Sequence, residues 1–248
     1  MATAWTVNAK GEVWTIQPQG GGQLMAPAES AVQVALGFDG IPWIVSTKRG
    51  SGAGNLIQFY NGSSGWQSLA ANIGAVQVAG STNTFCWFVD ENNAVWSVDT
   101  NGTVFRISQD GFALSVGVSS VGPAWVISTQ SYEGGGGNII LWYNEATGNW
   151  VEVPRPAAGL QIAGQYDQTA WVVNSDNAIY NYQQNGQGKL MSPNGTALQI
   201  GIGPDNTPWM ISTQSNNSPG GNVIMYCSNG NWTAVPYPAS ATWVAGSM

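Results

Sequence analysis

The sequence predicts an all-β fold, a six-bladed β-propeller of four-stranded blades, and three observations carry that reading. Trp5, Trp43, Trp87, Trp125, Trp171 and Trp209 pace the chain at intervals of 38, 44, 38, 46 and 38 residues. Counting from Trp209 through the last residue and round to Trp5 gives 44, so the pattern closes like a circle. Between these tryptophans lie short segments that alternate apolar and polar residues with the period of two of a strand. A period of roughly 40 residues in a Trp- and Gly-rich, strand-like chain marks a radial β-repeat. The alternation of short and long intervals makes the repeating unit a pair of blades, used three times. A site built on the longer blade is therefore expected in three copies.

The strands can be laid over one another in order. An inner-strand motif recurs as AVQVALG from Ala31, AVQVAGS from Ala75, ALSVGVS from Ala113, GLQIAGQ from Gly159, ALQIGIG from Ala197 and ATWVAGS from Ala241. The second strands carry the pacing Trp: AWTVNA, PWIVST, CWFVDE, AWVIST, AWVVNS and PWMIST. Third strands are EVWTIQ, NLIQFYN, AVWSVDT, NIILWYN, AIYNYQQ and NVIMYCS, and outer strands such as GWQSLA and NWVEVP follow. The chain opens on a second strand whose inner strand is the final segment. This closure ties the ends together and removes exposed sheet edges. The blades span 1–29 with 241–248, then 30–73, 74–111, 112–157, 158–195 and 196–240, in one domain, 1–248.

Short and long blades differ between the second and third strands. NAKGE, DENNA and NSDNA read as tight hairpin turns. The long blades have STKRGSGAGN, STQSYEGGGGN and STQSNNSPGGN, alike at the ends and different in the middle.

Composition narrows the function. The chain has 248 residues, 33 Gly and 13 Trp, and only 8% charged residues, the opposite of a disordered chain. A net charge of −7 argues against binding nucleic acid or anionic membranes through charge. No apolar run is long enough to insert into a bilayer. The first residues lack the basic start and apolar core of a signal peptide, so the expected location is cytoplasmic, with release by a non-classical route. Asn61, Asn101, Asn194, Asn216 and Asn231 head glycosylation sequons, but without a secretory signal they read as turns. Cys86 and Cys227 sit in apolar strands and read as reduced core thiols.

Catalytic chemistry has few candidates. There is no His, which removes the usual general base and zinc ligand. Asp90-Glu91-Asn92-Asn93 lacks calcium-loop spacing and reads as a hairpin turn. Asp39, Asp205, Glu133, Glu12 and Glu152 are scattered, whereas glycoside hydrolysis needs two carboxylates across one bond. Arg49, Arg106 and Arg155 fall at different blade positions, unlike the arginine cluster of six-bladed sialidases. The expectation is a non-enzyme without cofactor or metal.

Strings such as GLQIAGQYDQTAWVVNSDNAIYNY, a small-polar strand, a Trp strand, an Asn/Asp turn and an Ile-Tyr strand, resemble the tectonin repeat, and the resemblance covers all six blades. It implies a six-bladed propeller that binds modified or microbial surface glycans without an enzymatic step, and it suggests a defensive role.

Sugars bind to aromatic faces plus a few directional hydrogen bonds. The six pacing tryptophans, with Trp14, Trp96 and Tyr180, read as packing residues. Trp66, Trp150 and Trp232 occur only in long blades, where they open the outer strand, and are candidate platforms. Thr47, Thr129 and Thr213, with Asn55, Asn138 and Asn222, bracket the long loops and offer hydroxyls and amides. Gln130 and Gln214 match each other, with Lys48 in the third copy. The alternative for the Thr and Asn residues is self-capping of the loops. Two functions follow: a multivalent lectin, monomeric or weakly dimeric, or a non-catalytic protein-interaction scaffold. Three matching aromatic-floored pockets favour the first, and one continuous apolar patch favours the second. No fucose-type Arg or Glu repeats with the Trp.

Overall fold

Period-two alternation builds only strands here: every regular element among the described residues is a β-strand. A computed structural model of the chain describes residues 3–50, 54–69, 74–82, 84–216, 221–236 and 239–247. The strands form six antiparallel sheets, each running inner, second, third and outer strand. Blade 4 is typical, with Ala113–Val118, Ala124–Ser131, Asn138–Asn144 and Asn149–Glu152. Blade 1 closes the ring as the sequence predicts. Its inner strand, Trp243–Ser247, pairs with Ala4–Val7 in the register Thr6 to Val244 and Val7 to Trp243.

The pacing tryptophans fill the gaps between blades. Six apolar clusters form, one per seam, each containing one pacing Trp and side chains of the next blade. Trp43, Trp125 and Trp209 of the long blades are fully buried. Trp125 packs against Ile162 and Val172, and Trp209 against Val244 and Ile16. Each such side chain removes a large apolar surface from water, worth roughly 3 kcal/mol.

Amide side chains stitch the inner strands together. Gln33 donates to the Val78 carbonyl and accepts from the Val78 N–H, both at 2.8 Å. Gln77 bridges in the same way to Val116, at 2.9 and 2.6 Å. Gln161 bridges to Ile200 and Gln199 to Val244. Four of six seams carry this two-way bridge. Ser115 takes the position at the seam of blades 4 and 5, and its buried hydroxyl has no partner among the described residues. Trp243 takes it at the seam of blades 1 and 2.

The short-blade turns are Asx turns. Asn8, Asp90 and Asn174 each accept two backbone N–H groups through Oδ1, the pair at Asp90 coming from Asn92 and Ala94 at 2.9 Å. Asp90-Glu91-Asn92-Asn93 is thus a hairpin turn.

The long loops have a structural task. The two residues entering each following short blade, Gly74–Ala75, Ala158–Gly159 and Ser240–Ala241, pair with the start of the long blade's third strand. Asn55 meets Ala75, Asn138 meets Gly159 and Asn222 meets Ala241. Gly54, Gly137 and Gly221 sit just before, at φ of 132°, 126° and 125°. A Cβ at Gly137 would lie 2.5 Å from the Gly159 carbonyl oxygen, so only glycine fits. The loop middles at 51–53 and 217–220 lie outside the described residues.

Replacing Gln77 with Leu strips two hydrogen bonds from a buried backbone and is expected to destabilise the protein by roughly 2–4 kcal/mol in denaturant titration. Ser115→Gln supplies the missing bridge to Ile162 and is expected to raise stability by about 1 kcal/mol. A neutral or destabilising Ser115→Gln would show that the blade 4–5 seam is built differently from the other four.

Candidate functional site

The two seam types differ, and the difference makes a concave surface in triplicate. Long-to-short seams are closed by the glycine-ended loops. Short-to-long seams are filled by aromatic side chains near the opposite face of the disc. In blade 2, Trp5 of the preceding blade lies 6.0 Å from Tyr60 and 6.1 Å from Trp66, and Tyr60 lies 5.3 Å from Trp66. In blade 4, Trp87, Tyr143 and Trp150 repeat the cluster at 5.9, 6.4 and 5.1 Å. In blade 6, Trp171 lies 6.2 Å from Trp232, and Cys227 takes the tyrosine position. The Trp–Trp pairs are edge-on in all three, a geometry the ring quadrupoles favour.

A pocket opens above each cluster. Each is bounded by the inner-to-second and third-to-outer turns of a long blade and floored by the preceding blade's Trp. The blade 2 pocket, about 550 Å³, is lined by Trp5, Asp39, Pro42, Tyr60 and Asn61. The blade 4 pocket, about 610 Å³, has Trp87, Ala124, Tyr143 and Asn144 in the same places, with Ser81, Thr82, Gln168 and Gln184 from its neighbours. The blade 6 pocket, about 330 Å³, has Trp171, Pro208, Cys227 and Ser228. No Lys or Arg lines any of the three among the described residues.

The polar groups of these pockets differ. In blade 2, Asp39 accepts the Ile41 N–H at 3.1 Å and the Thr84 N–H of the next blade at 2.7 Å, so both its oxygens are engaged. In blade 6, Gln165 accepts the Trp171 indole N–H at 2.5 Å and the Asn181 amide at 2.9 Å. In blade 4, Val121 replaces the turn aspartate and is 56% exposed, and the polar wall is hydroxyls and amides with one carboxylate, Glu145. No two carboxylates share a pocket lining, and among the described residues no three His, Cys, Asp or Glu come together as a metal site.

The eleven residues singled out from sequence fall into two groups at opposite ends of the blades. Thr47, Thr129 and Thr213 lie at the long-loop end. Thr129 and Thr213 donate to the carbonyls of Gly111 and Gly195 at 2.6 Å, and Thr47 donates to that of Glu29. Asn138 and Asn222 donate to the carbonyls of Ser128 and Ser212 at 2.8 Å, while Asn55 opens its third strand. The self-capping alternative thus describes these Thr residues and two of the Asn residues. Gln130 and Gln214 are exposed at the same end. Trp66, Trp150 and Trp232 lie one strand length away, about 17 Å at 3.3 Å per residue, paired with Tyr60, Tyr143 and Cys227. They are half-buried in the seam. Trp66 and Trp232 donate their indole N–H to the carbonyls of Met25 and Met191 at 3.0 and 2.9 Å, and the Trp150 N–H is buried without a partner among the described residues. They back the pocket floor rather than face solvent as platforms. None of the eleven lines a pocket, and the aromatic pocket residues that sequence reasoning did not name include Tyr60 and Tyr143. The signal was the pair Tyr-Asn closing the third strand in FYNG and WYNE.

Comparison with known proteins supports the fold. No family model and no curated protein matches the chain. Among solved structures, a streptogramin B lyase matches with TM-score 0.60 at 19% identity, covering 96% of this chain and 84% of its own. YCF48 bound to D1 peptide matches with TM-score 0.57 at 12% identity, over 99% and 86%. A structural genomics protein of unknown function from Bacteroides thetaiotaomicron matches with TM-score 0.61 at 8% identity, over 97% and 69%. At these identities the likeness is one of fold, the β-propeller.

Both cysteines are free and buried. Burial pushes the Cys86 thiol well above its usual range, and burial likewise raises Cys227, which lines the blade 6 pocket. Only the thiolate reacts. Under native conditions at pH 8, a thiol-disulfide reagent is expected to label Cys227 slowly and Cys86 only after unfolding. Mass spectrometry of the labelled peptides checks the order, and prior labelling of Cys86 would contradict it.

Proposed function

We propose that this chain is a multivalent lectin of the tectonin type that binds neutral surface glycans, modified or microbial, at its three seam pockets. One observation carries the reading: the same aromatic-floored concavity recurs at every short-to-long seam. A tyrosine face beside amide and hydroxyl groups suits a pyranose, which has apolar C–H patches next to hydroxyls. Pockets without Lys or Arg suit uncharged sugars over sialylated or sulfated ones. No bond is broken in this reading, because the pockets hold no paired carboxylates of the kind glycoside hydrolysis uses. The streptogramin B lyase bears on the fold alone.

The three pockets face one way on a rigid disc. Such an arrangement gains roughly 10²–10⁴ in avidity on a glycan-covered surface without any new contact. The blade 4 pocket, the largest and richest in hydroxyls and amides, is the strongest site in this reading. The blade 6 pocket, with Cys227 in place of tyrosine, is the weakest. The scaffold alternative draws on a separate feature of the opposite face, described below.

A broad array including methylated and bacterial sugars tests the proposal. Binding to a coherent class of neutral glycans is expected. Tyr143→Ala should weaken monovalent affinity for the blade 4 site about tenfold, or ~1.4 kcal/mol, and Tyr60→Ala/Tyr143→Ala should abolish the avidity gain. A blank array from folded protein, or hits untouched by the double variant, would refute it.

A further inference from the structure

Five of the ten large apolar side chains exposed among the described residues occupy one position of the fold. Val32, Val76, Leu114, Leu160 and Leu198 are the second residues of their inner-strand motifs and are 44–48% exposed. Thr242, also exposed, is the sixth. The ring they form surrounds the propeller axis on the long-loop face, opposite the pockets. An aliphatic ring of this regularity on an exposed face marks an interaction site.

We propose that two copies of this chain pair through this ring, face to face, about a two-fold axis lying along blades 3 and 6. The charges on the face argue for a second copy as the occupant. Five of the six basic residues, Lys10, Lys48, Arg49, Arg106 and Arg155, lie on this face. All three described ion pairs, Arg49–Glu91, Arg106–Asp110 and Arg155–Glu152, are there too. The apolar centre thus has a rim of mixed charge, the anatomy of a protein interface. A two-fold axis through blades 3 and 6 superposes blade 1 on blade 5 and blade 2 on blade 4 of the other copy. Lys10 and Asp176 hold the same position in the turns of blades 1 and 5, and the pairing brings these opposite charges together. It likewise sets the Lys48 loop of blade 2 over the Glu133 loop of blade 4. Glu29, at the seam of blades 1 and 2, comes over Arg155, near the seam of blades 4 and 5. Lys10, Asp176, Lys48, Glu133, Glu29 and Arg155 are all exposed. A ring centred on the disc axis meets its own copy under such an operation, as an isologous contact requires. The pockets of the two discs then point in opposite directions.

The proposal stands apart from the glycan reading, because association needs no sugar. Sedimentation velocity across a concentration series tests it. The wild-type chain should sediment at twice its 26.1 kDa mass. Leu160→Arg/Leu198→Arg should sediment as a monomer with unchanged circular dichroism and glycan binding. Lys10→Glu should weaken the dimer at least tenfold, and Lys10→Glu/Asp176→Lys should restore it. A monomeric wild type, a dimer that survives the double arginine change, or a charge swap that fails to restore association would each overturn the proposal. A monomer whose ring captures an apolar peptide would overturn it in favour of a scaffold.

Discussion

Six inner strands converge on the propeller axis close enough for backbone to touch backbone. That approach is the constraint on which the rest of the molecule depends. A Cβ at Gly80, Gly164 or Gly246 would collide with the main chain of the preceding blade. The unpaired edge of each inner strand would then be a row of buried N–H and C=O groups without partners, a costly arrangement. Gln33, Gln77, Gln161 and Gln199 resolve this by offering a primary amide, which has one donor and one acceptor side, to the main chain of the next blade. The bridge acts across blades where sheet hydrogen bonding cannot, because adjacent blades twist away from one another.

From this hub outward, the blades separate and the gap between them must be filled. Two solutions alternate round the ring. At long-to-short seams a fully buried Trp fills the gap, and a glycine-ended loop lets the third strand pair with the chain entering the next blade. At short-to-long seams the pacing Trp, the long blade's Tyr and the outer-strand Trp form an aromatic cluster. The two-blade period in the sequence is the record of these two solutions.

The candidate site follows from the second solution. At the long-loop face the aromatic seam too is closed by backbone hydrogen bonds, such as Ala113 N–H to the Asn93 carbonyl; at the other face it ends in a concavity between turns, and the three-fold repeat makes that concavity recur. Divergence enters through the turns. Val121 for aspartate opens the blade 4 pocket, and Cys227 for tyrosine reduces the blade 6 floor. The opposite face, where the long loops end and the inner strands begin, carries the aliphatic ring and most of the cations. The two faces therefore have different chemistry, although every blade contributes to both.

Strand order, blade number, ring closure, the alternation of blades and the packing role of the pacing tryptophans were legible in the sequence, because each rests on local periodicity and repetition. The repeated Thr and Asn of the long loops were legible as a pattern but ambiguous as to purpose. Only the fold showed that Thr129 and Thr213 cap carbonyls of the preceding turn, and that Asn138 and Asn222 bond within their own blade. Trp66, Trp150 and Trp232 share a blade with those residues yet lie a strand length away, beside the opposite face, since a strand carries its two ends to opposite sides of the disc. The pockets bring together side chains some 40 residues apart, such as Trp5 with Asp39 and Trp87 with Ala124. Their existence is a property of how blades meet. Periodicity determined what each segment becomes, while the spacing between neighbouring sheets, a tertiary quantity, decided which surfaces stayed open.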